Sequence, residues 1–126
     1  MPAFWAIAGN PGELALLEEE KDSGRYFLHM KKATVINEYY GKAGNTLITF
    51  RHRGSGSVTI SWWLYEVKNG QRKHQKGIVL GKFAGSDDWK LEKLDVELPQ
   101  ADLVKLAISV DGEADIDAIS VTAKLK

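Results

Sequence analysis

The sequence predicts an all-β domain, a sandwich or a barrel, and three observations carry that prediction. Apolar residues recur with a period of two over most of the chain. β-Branched and aromatic residues concentrate in those alternating runs. Residues that favour tight or left-handed turns separate one run from the next. The clearest run is Ser57 to Glu66, which sets Val58, Ile60, Trp62 and Leu64 on one face and Thr59, Ser61, Trp63 and Tyr65 on the other.

The other elements follow in order. Asn10-Pro11-Gly12-Glu13 and the Leu14 to Glu20 segment fit a capped helix by composition, but the surrounding β pattern favours a strand. Arg25 to Met30 alternates with Tyr26, Leu28 and Met30 on one side, and Thr46 to Arg53 sets Ile48 and Phe50 inward. Leu94, Val96 and Leu98 alternate up to Pro99. Gln100 to Leu106 is weakly ambiguous between helix and strand, while Leu103 to Val110 and Ile116 to Ala123 read as the last two strands. Turns are expected at Asp22-Ser23-Gly24, Gly54-Ser55-Gly56, Asn69-Gly70, Gly85-Ser86-Asp87 and Asp111-Gly112. Of these, Asn69-Gly70 and Asp111-Gly112 are the strongest hairpin signals.

Composition narrows the function. The 126 residues, 44% hydrophobic and 27% charged, suit one globular domain over 1–126 with its own core. Lys+Arg and Asp+Glu are balanced at 17 each, so no global field draws the chain to nucleic acid or to an anionic membrane. There is no cysteine, which excludes disulfides, zinc–thiolate sites and thiol nucleophiles. No apolar run approaches the roughly 18 residues of a membrane span. Met1-Pro2-Ala3-Phe4-Trp5 is not a signal peptide and reads as a domain boundary inside a longer protein.

Four segments, in order, carry a family resemblance. They are Asp22-Ser23-Gly24-Arg25-Tyr26-Phe27-Leu28, Gly44 to Gly54 with its Leu47-x-x-Phe50-Arg51 strand, Asp88-Trp89 leading to Leu98-Pro99, and Ile116-Asp117-Ala118-Ile119-Ser120-Val121. Together they resemble the galactose-binding-like jelly-roll carbohydrate-binding modules, similar to families 4, 22 and 6, across roughly residues 20 to 123. The resemblance implies a two-sheet antiparallel β-sandwich that binds polysaccharide or oligosaccharide without catalysis. It further implies a monomeric module appended to a catalytic domain in a secreted bacterial enzyme or surface protein. The family's usual opening strand is missing or altered here, and Asp117-Ala118 stands where two acidic residues are common.

Sugar-binding pockets stack a pyranose on Trp or Tyr and satisfy its hydroxyls with nearby polar groups. Trp63 and Tyr65 share the outer face of their strand. A hairpin at Gly54-Ser55-Gly56 would set Arg51 and Arg53 alongside them as guanidinium donors. Trp62 belongs to the core by alternation. Trp89 resembles a structural residue of the family, and Trp5 either closes one end of the sandwich or lines a loop site. In Tyr39-Tyr40-Gly41 one ring faces inward, and Tyr40 is taken as the exposed one for a loop-end site. The resembling modules often hold structural calcium (Ca2+), for which Glu20, Asp22 and Asp117 are the side-chain candidates here. The competing role is turn capping by Asp22 and backbone bonding by Asp117. Lys68, Arg72, Lys73, His74 and Lys76 crowd around Asn69-Gly70. They read as a solvated hairpin tip, or as a contact for acidic glycans or phosphate.

Catalytic constellations are absent from the sequence. His29, His52 and His74 lack metal-ligand spacing, no nucleophile elbow or phosphate loop occurs, and Asp87-Asp88 and Asp115/Asp117 sit in turns or at a strand end. Two rival functions remain: a structural or protein-interaction sandwich of a multidomain extracellular protein, and an accessory domain completing a glycosidase site.

Overall fold

A side chain on every second position needs an apolar layer on one side only, and the chain meets that demand by stacking two sheets. The computed structural model describes residues 6–7, 13–18, 26–39 and 44–123. Its strands are β1 (Ala6–Ile7), β2 (Glu13–Glu18), β3 (Tyr26–Lys31), β4 (Thr34–Tyr39), β5 (Gly44–Gly54), β6 (Ser57–Lys68), β7 (Gln71–Phe83), β8 (Ser86–Leu98), β9 (Leu103–Asp111) and β10 (Glu113–Ala123). The first sheet runs β1-β4-β9-β6-β7 and the second β2-β3-β10-β5-β8, with every pairing antiparallel. This is the two-sheet antiparallel β-sandwich of jelly-roll type. Of the two segments that compete between helix and strand, the described part of the first is strand, and the second is a short connection over 100–102 followed by strand from Leu103. Glu13 to Glu18 pairs with β3, and Leu103 begins β9.

The core lies between the sheets. From the first sheet come Val58, Ile60, Trp62 and Leu64 of β6 and Leu106, Ile108 and Val110 of β9. From the second come Leu28, Met30, Ile48, Phe50 and Ile116. Trp62 is fully buried, and its indole Nε1 donates to the Glu97 carbonyl 3.1 Å away, a bond from one sheet to the other. His52 is also fully buried, with Nε2 2.9 Å from a Glu92 carboxylate oxygen.

Chain connectivity corrects two hairpin expectations. Asn69-Gly70 does close a hairpin, with φ positive at both residues (53° and 76°) as a two-residue type I′ turn requires, and it joins β6 to β7. Gly54-Ser55-Gly56 and Asp111-Gly112 do not close hairpins. They carry the chain from one sheet to the other, because β5 and β6 lie in different sheets, as do β9 and β10. The physical reason is packing of backbone on backbone. A Cβ on Gly56 would stand 2.6 Å from the Asp111 carbonyl oxygen, and one on Gly54 2.8 Å from that of Glu113. The Gly56 N–H donates to the Glu113 carbonyl at 2.7 Å. Two glycine arches thus nest at one end of the sandwich, where a hairpin would have used the same residues.

Candidate functional site

β6 is an interior strand of the first sheet, between β9 and the edge strand β7. Its alternation buries Trp62 and turns Trp63 and Tyr65 to the outer surface, both half-buried. Trp63 registers with Lys105 on β9 and Gly77 on β7, and Tyr65 with Leu103 and His74. Gly77 puts no side chain on that flank of Trp63. A methyl there would meet the indole only at ordinary contact distance, 3.6 Å, so the glycine leaves the flank open without being sterically required.

The neighbours hold the rings in place. The His74 imidazole stands nearly perpendicular to both, with centroids 6.2 Å from Trp63 and 5.2 Å from Tyr65. The Lys105 ammonium lies 4.6 Å from the centre of the Tyr65 ring, a cation–π contact. Arg72 is ion-paired with Glu38 of β4 on the same face. Burial pushes the Tyr65 phenol above its usual 10.0, so it is a neutral hydrogen-bonding hydroxyl at physiological pH. Val79, 68% exposed, and Val67, 43% exposed, extend the apolar strip along the ribbon. Beside Tyr65 a groove of about 610 Å³ opens towards Gln75, Lys76 and the Pro99 to Asp102 connection. An apolar strip with amide, hydroxyl and ammonium groups at its margins can stack a sugar ring and bond its hydroxyls.

Arg51 and Arg53 are not part of this face. Because the chain crosses between sheets after Gly54, they project from the outer surface of the second sheet. There Arg51 pairs with Asp117, and Arg53 donates to Asp115 at 3.0 Å. Asp115 also bonds His29 at 2.7 Å. Trp89 packs with both guanidiniums, 5.0 and 4.5 Å from its ring centre, and edge-on to Phe27 at 5.6 Å. The expected guanidinium margin for Trp63 and Tyr65 is therefore replaced by Lys105, His74 and Arg72.

Tyr40, Glu20, Asp22 and Trp5 lie outside the described residues. Asp117 is paired with Arg51, and no cluster of three potential metal ligands occurs among the described residues, which do not include Glu20 or Asp22. Lys105 was hidden in the sequence because nothing local shows which β6 residue it faces. Its outward position in the Leu103 to Val110 alternation was the one available signal.

Comparison with solved structures fixes the class of fold. The chain overlays the family 22 module of a Clostridium thermocellum xylanase, solved with its catalytic module and xylohexaose, with a TM-score of 0.74 at 14% identity over 97% of its length. The fold is that of a carbohydrate-binding module. The chain spans about a quarter (26%) of that xylanase structure. It covers 89% of the family 22 xylan-binding domain of Paenibacillus barcinonensis Xyn10C, at TM-score 0.68 and 12% identity. It likewise covers 90% of a family 61 module solved with β-1,4-galactotriose, at TM-score 0.61 and 16% identity. No protein-family model and no curated protein sequence matches the chain.

Proposed function

We propose that this domain binds polysaccharide without catalysing its cleavage, that Trp63 and Tyr65 form the stacking platform, and that it holds an appended enzyme or surface protein on its substrate outside the cell. The observation that carries this reading is the half-exposed pair of rings on the outer face of the interior strand β6, braced by His74 and Lys105. The carbohydrate-binding fold and the sugars present in two of the similar structures support the same reading. Glycan arrays and pull-downs with soluble and insoluble polysaccharides test it. Trp63→Ala and Tyr65→Ala should each weaken binding at least tenfold, the loss expected for a stacking ring worth ~1.5 kcal/mol. Failure to bind any glycan, or binding indifferent to both substitutions, would end the proposal.

Calcium is the weaker element of the expectation, because Asp117 is engaged by Arg51. Melting with and without EDTA should give the same Tm. A drop on chelation would restore a calcium site built with Glu20 and Asp22.

A further inference from the structure

We infer that the bound polysaccharide carries carboxylates, so that the ligand class of the Trp63–Tyr65 face is a uronate-bearing chain. This inference rests on the proposed sugar-binding role and deepens it. Three observations support it.

The first is position. Lys105 is the cross-strand neighbour of Trp63, and its ammonium is held over Tyr65. A pyranose stacked on an indole presents its equatorial substituents at the ring edge. An equatorial carboxylate on C5 leaves a sugar at that edge, away from the aromatic surface, and a ring on Trp63 turned with C5 towards β9 sets it on the side of Lys105.

The second is local charge. The chain is neutral overall, with 17 residues of each sign. Around the platform the outward cations are Lys105 and Arg72, and the outward acid is Glu38, which bonds Arg72. Beyond Tyr65, Glu66 accepts from the Gln75 amide and Asp102 from the Val67 N–H. Among the described residues no carboxylate pairs with the Lys105 ammonium. The site therefore offers a positioned positive charge.

The third is contrast with the opposite face. There the arginines Arg51 and Arg53 are each matched by an aspartate, Asp117 and Asp115. Lys105, beside the platform, is steadied by an aromatic ring, an arrangement that keeps the charge available.

Calorimetric titration with matched polymers tests the inference: polygalacturonate and glucuronoxylan, each before and after carbodiimide–borohydride reduction of its carboxyl groups. At least one acidic polymer should bind about fivefold tighter than its reduced form in low salt, the range of an exposed ion pair. The preference should shrink in ~0.5 M NaCl, and the acidic-to-neutral ratio should fall towards one in Lys105→Gln. Equal or tighter binding of every reduced polymer overturns the acidic class and leaves the sugar-binding role standing. Binding of none of these polymers, with no glycan bound on the array, overturns both. Acid preference that survives Lys105→Gln, or acidic binding that survives Trp63→Ala, would mean unspecific charge attraction and also overturns the inference.

Discussion

Trp62 and Trp63 are the same side chain at adjacent positions with opposite roles, and the difference comes only from the twofold period of a strand. Trp62 fills the core and ties the sheets through its bond to the Glu97 carbonyl, whereas Trp63 faces solvent. Trp62→Phe keeps most of the apolar volume but strands that carbonyl, so urea unfolding should show a loss of about 1–2 kcal/mol with sugar binding retained. Trp63→Ala should do the reverse, costing little stability and most of the binding. This assignment was legible in the sequence because alternation alone decides it. Arg51 and Arg53 show where legibility stops. Alternation places them outward, and they are outward. Which sheet they leave depends on whether Gly54-Ser55-Gly56 turns within a sheet or crosses between sheets, and glycine and serine serve both paths. The partners that fix the answer, Asp115 and Asp117, lie more than sixty positions away (separations of 62 and 66) and leave no local trace.

Among the elements, the nested arches at one end of the sandwich decide how the sheets meet. Gly56 is tightly enclosed, with the Asp111 carbonyl oxygen and the Glu113 nitrogen both within 2.7 Å of where a Cβ would stand. Those atoms are backbone and cannot swing aside. Gly56→Ala should therefore force the arches apart and destabilise the fold by about 2–3 kcal/mol, the upper range of overpacking, read as a lower midpoint in urea with an unchanged slope. Gly70→Ala is the matching control for left-handed backbone alone. Its φ is 76°, but nothing lies within 4 Å of an added Cβ, so its cost should be confined to the turn and smaller, about 1 kcal/mol. The β6–β7 hairpin was readable from Asn69-Gly70 because its turn chemistry is local. The arches were not, because their glycines serve a contact with a distant segment.

Taken whole, the molecule has two unlike outer surfaces. On the second sheet, arginine and aspartate are matched pair by pair beneath Trp89 and Phe27, a surface already satisfied by its own groups. On the first sheet, aromatic rings, exposed valines and an ammonium stand ready for a ligand. A domain that bound polysaccharide through the Trp63–Tyr65 face alone would hold one strand and not cross-link two, as the proposed tethering role requires. The physical value of a tether is effective concentration: once the module is bound, an enzyme joined to it meets its substrate at a concentration set by the linker and no longer by diffusion from bulk. This gives a prediction that separates tethering from mere affinity. Fused to a glycosidase that cleaves the polysaccharide this domain binds, it should raise the initial rate on insoluble substrate about fivefold or more at low enzyme loading. It should leave the rate on short soluble oligosaccharides unchanged, because those diffuse freely to the active site. Trp63→Ala in the fusion should remove the gain on the insoluble substrate and nothing else. Equal rates for the fusion and the bare enzyme on the insoluble material, with binding intact, would mean that the face serves recognition of some other kind than the delivery of an enzyme.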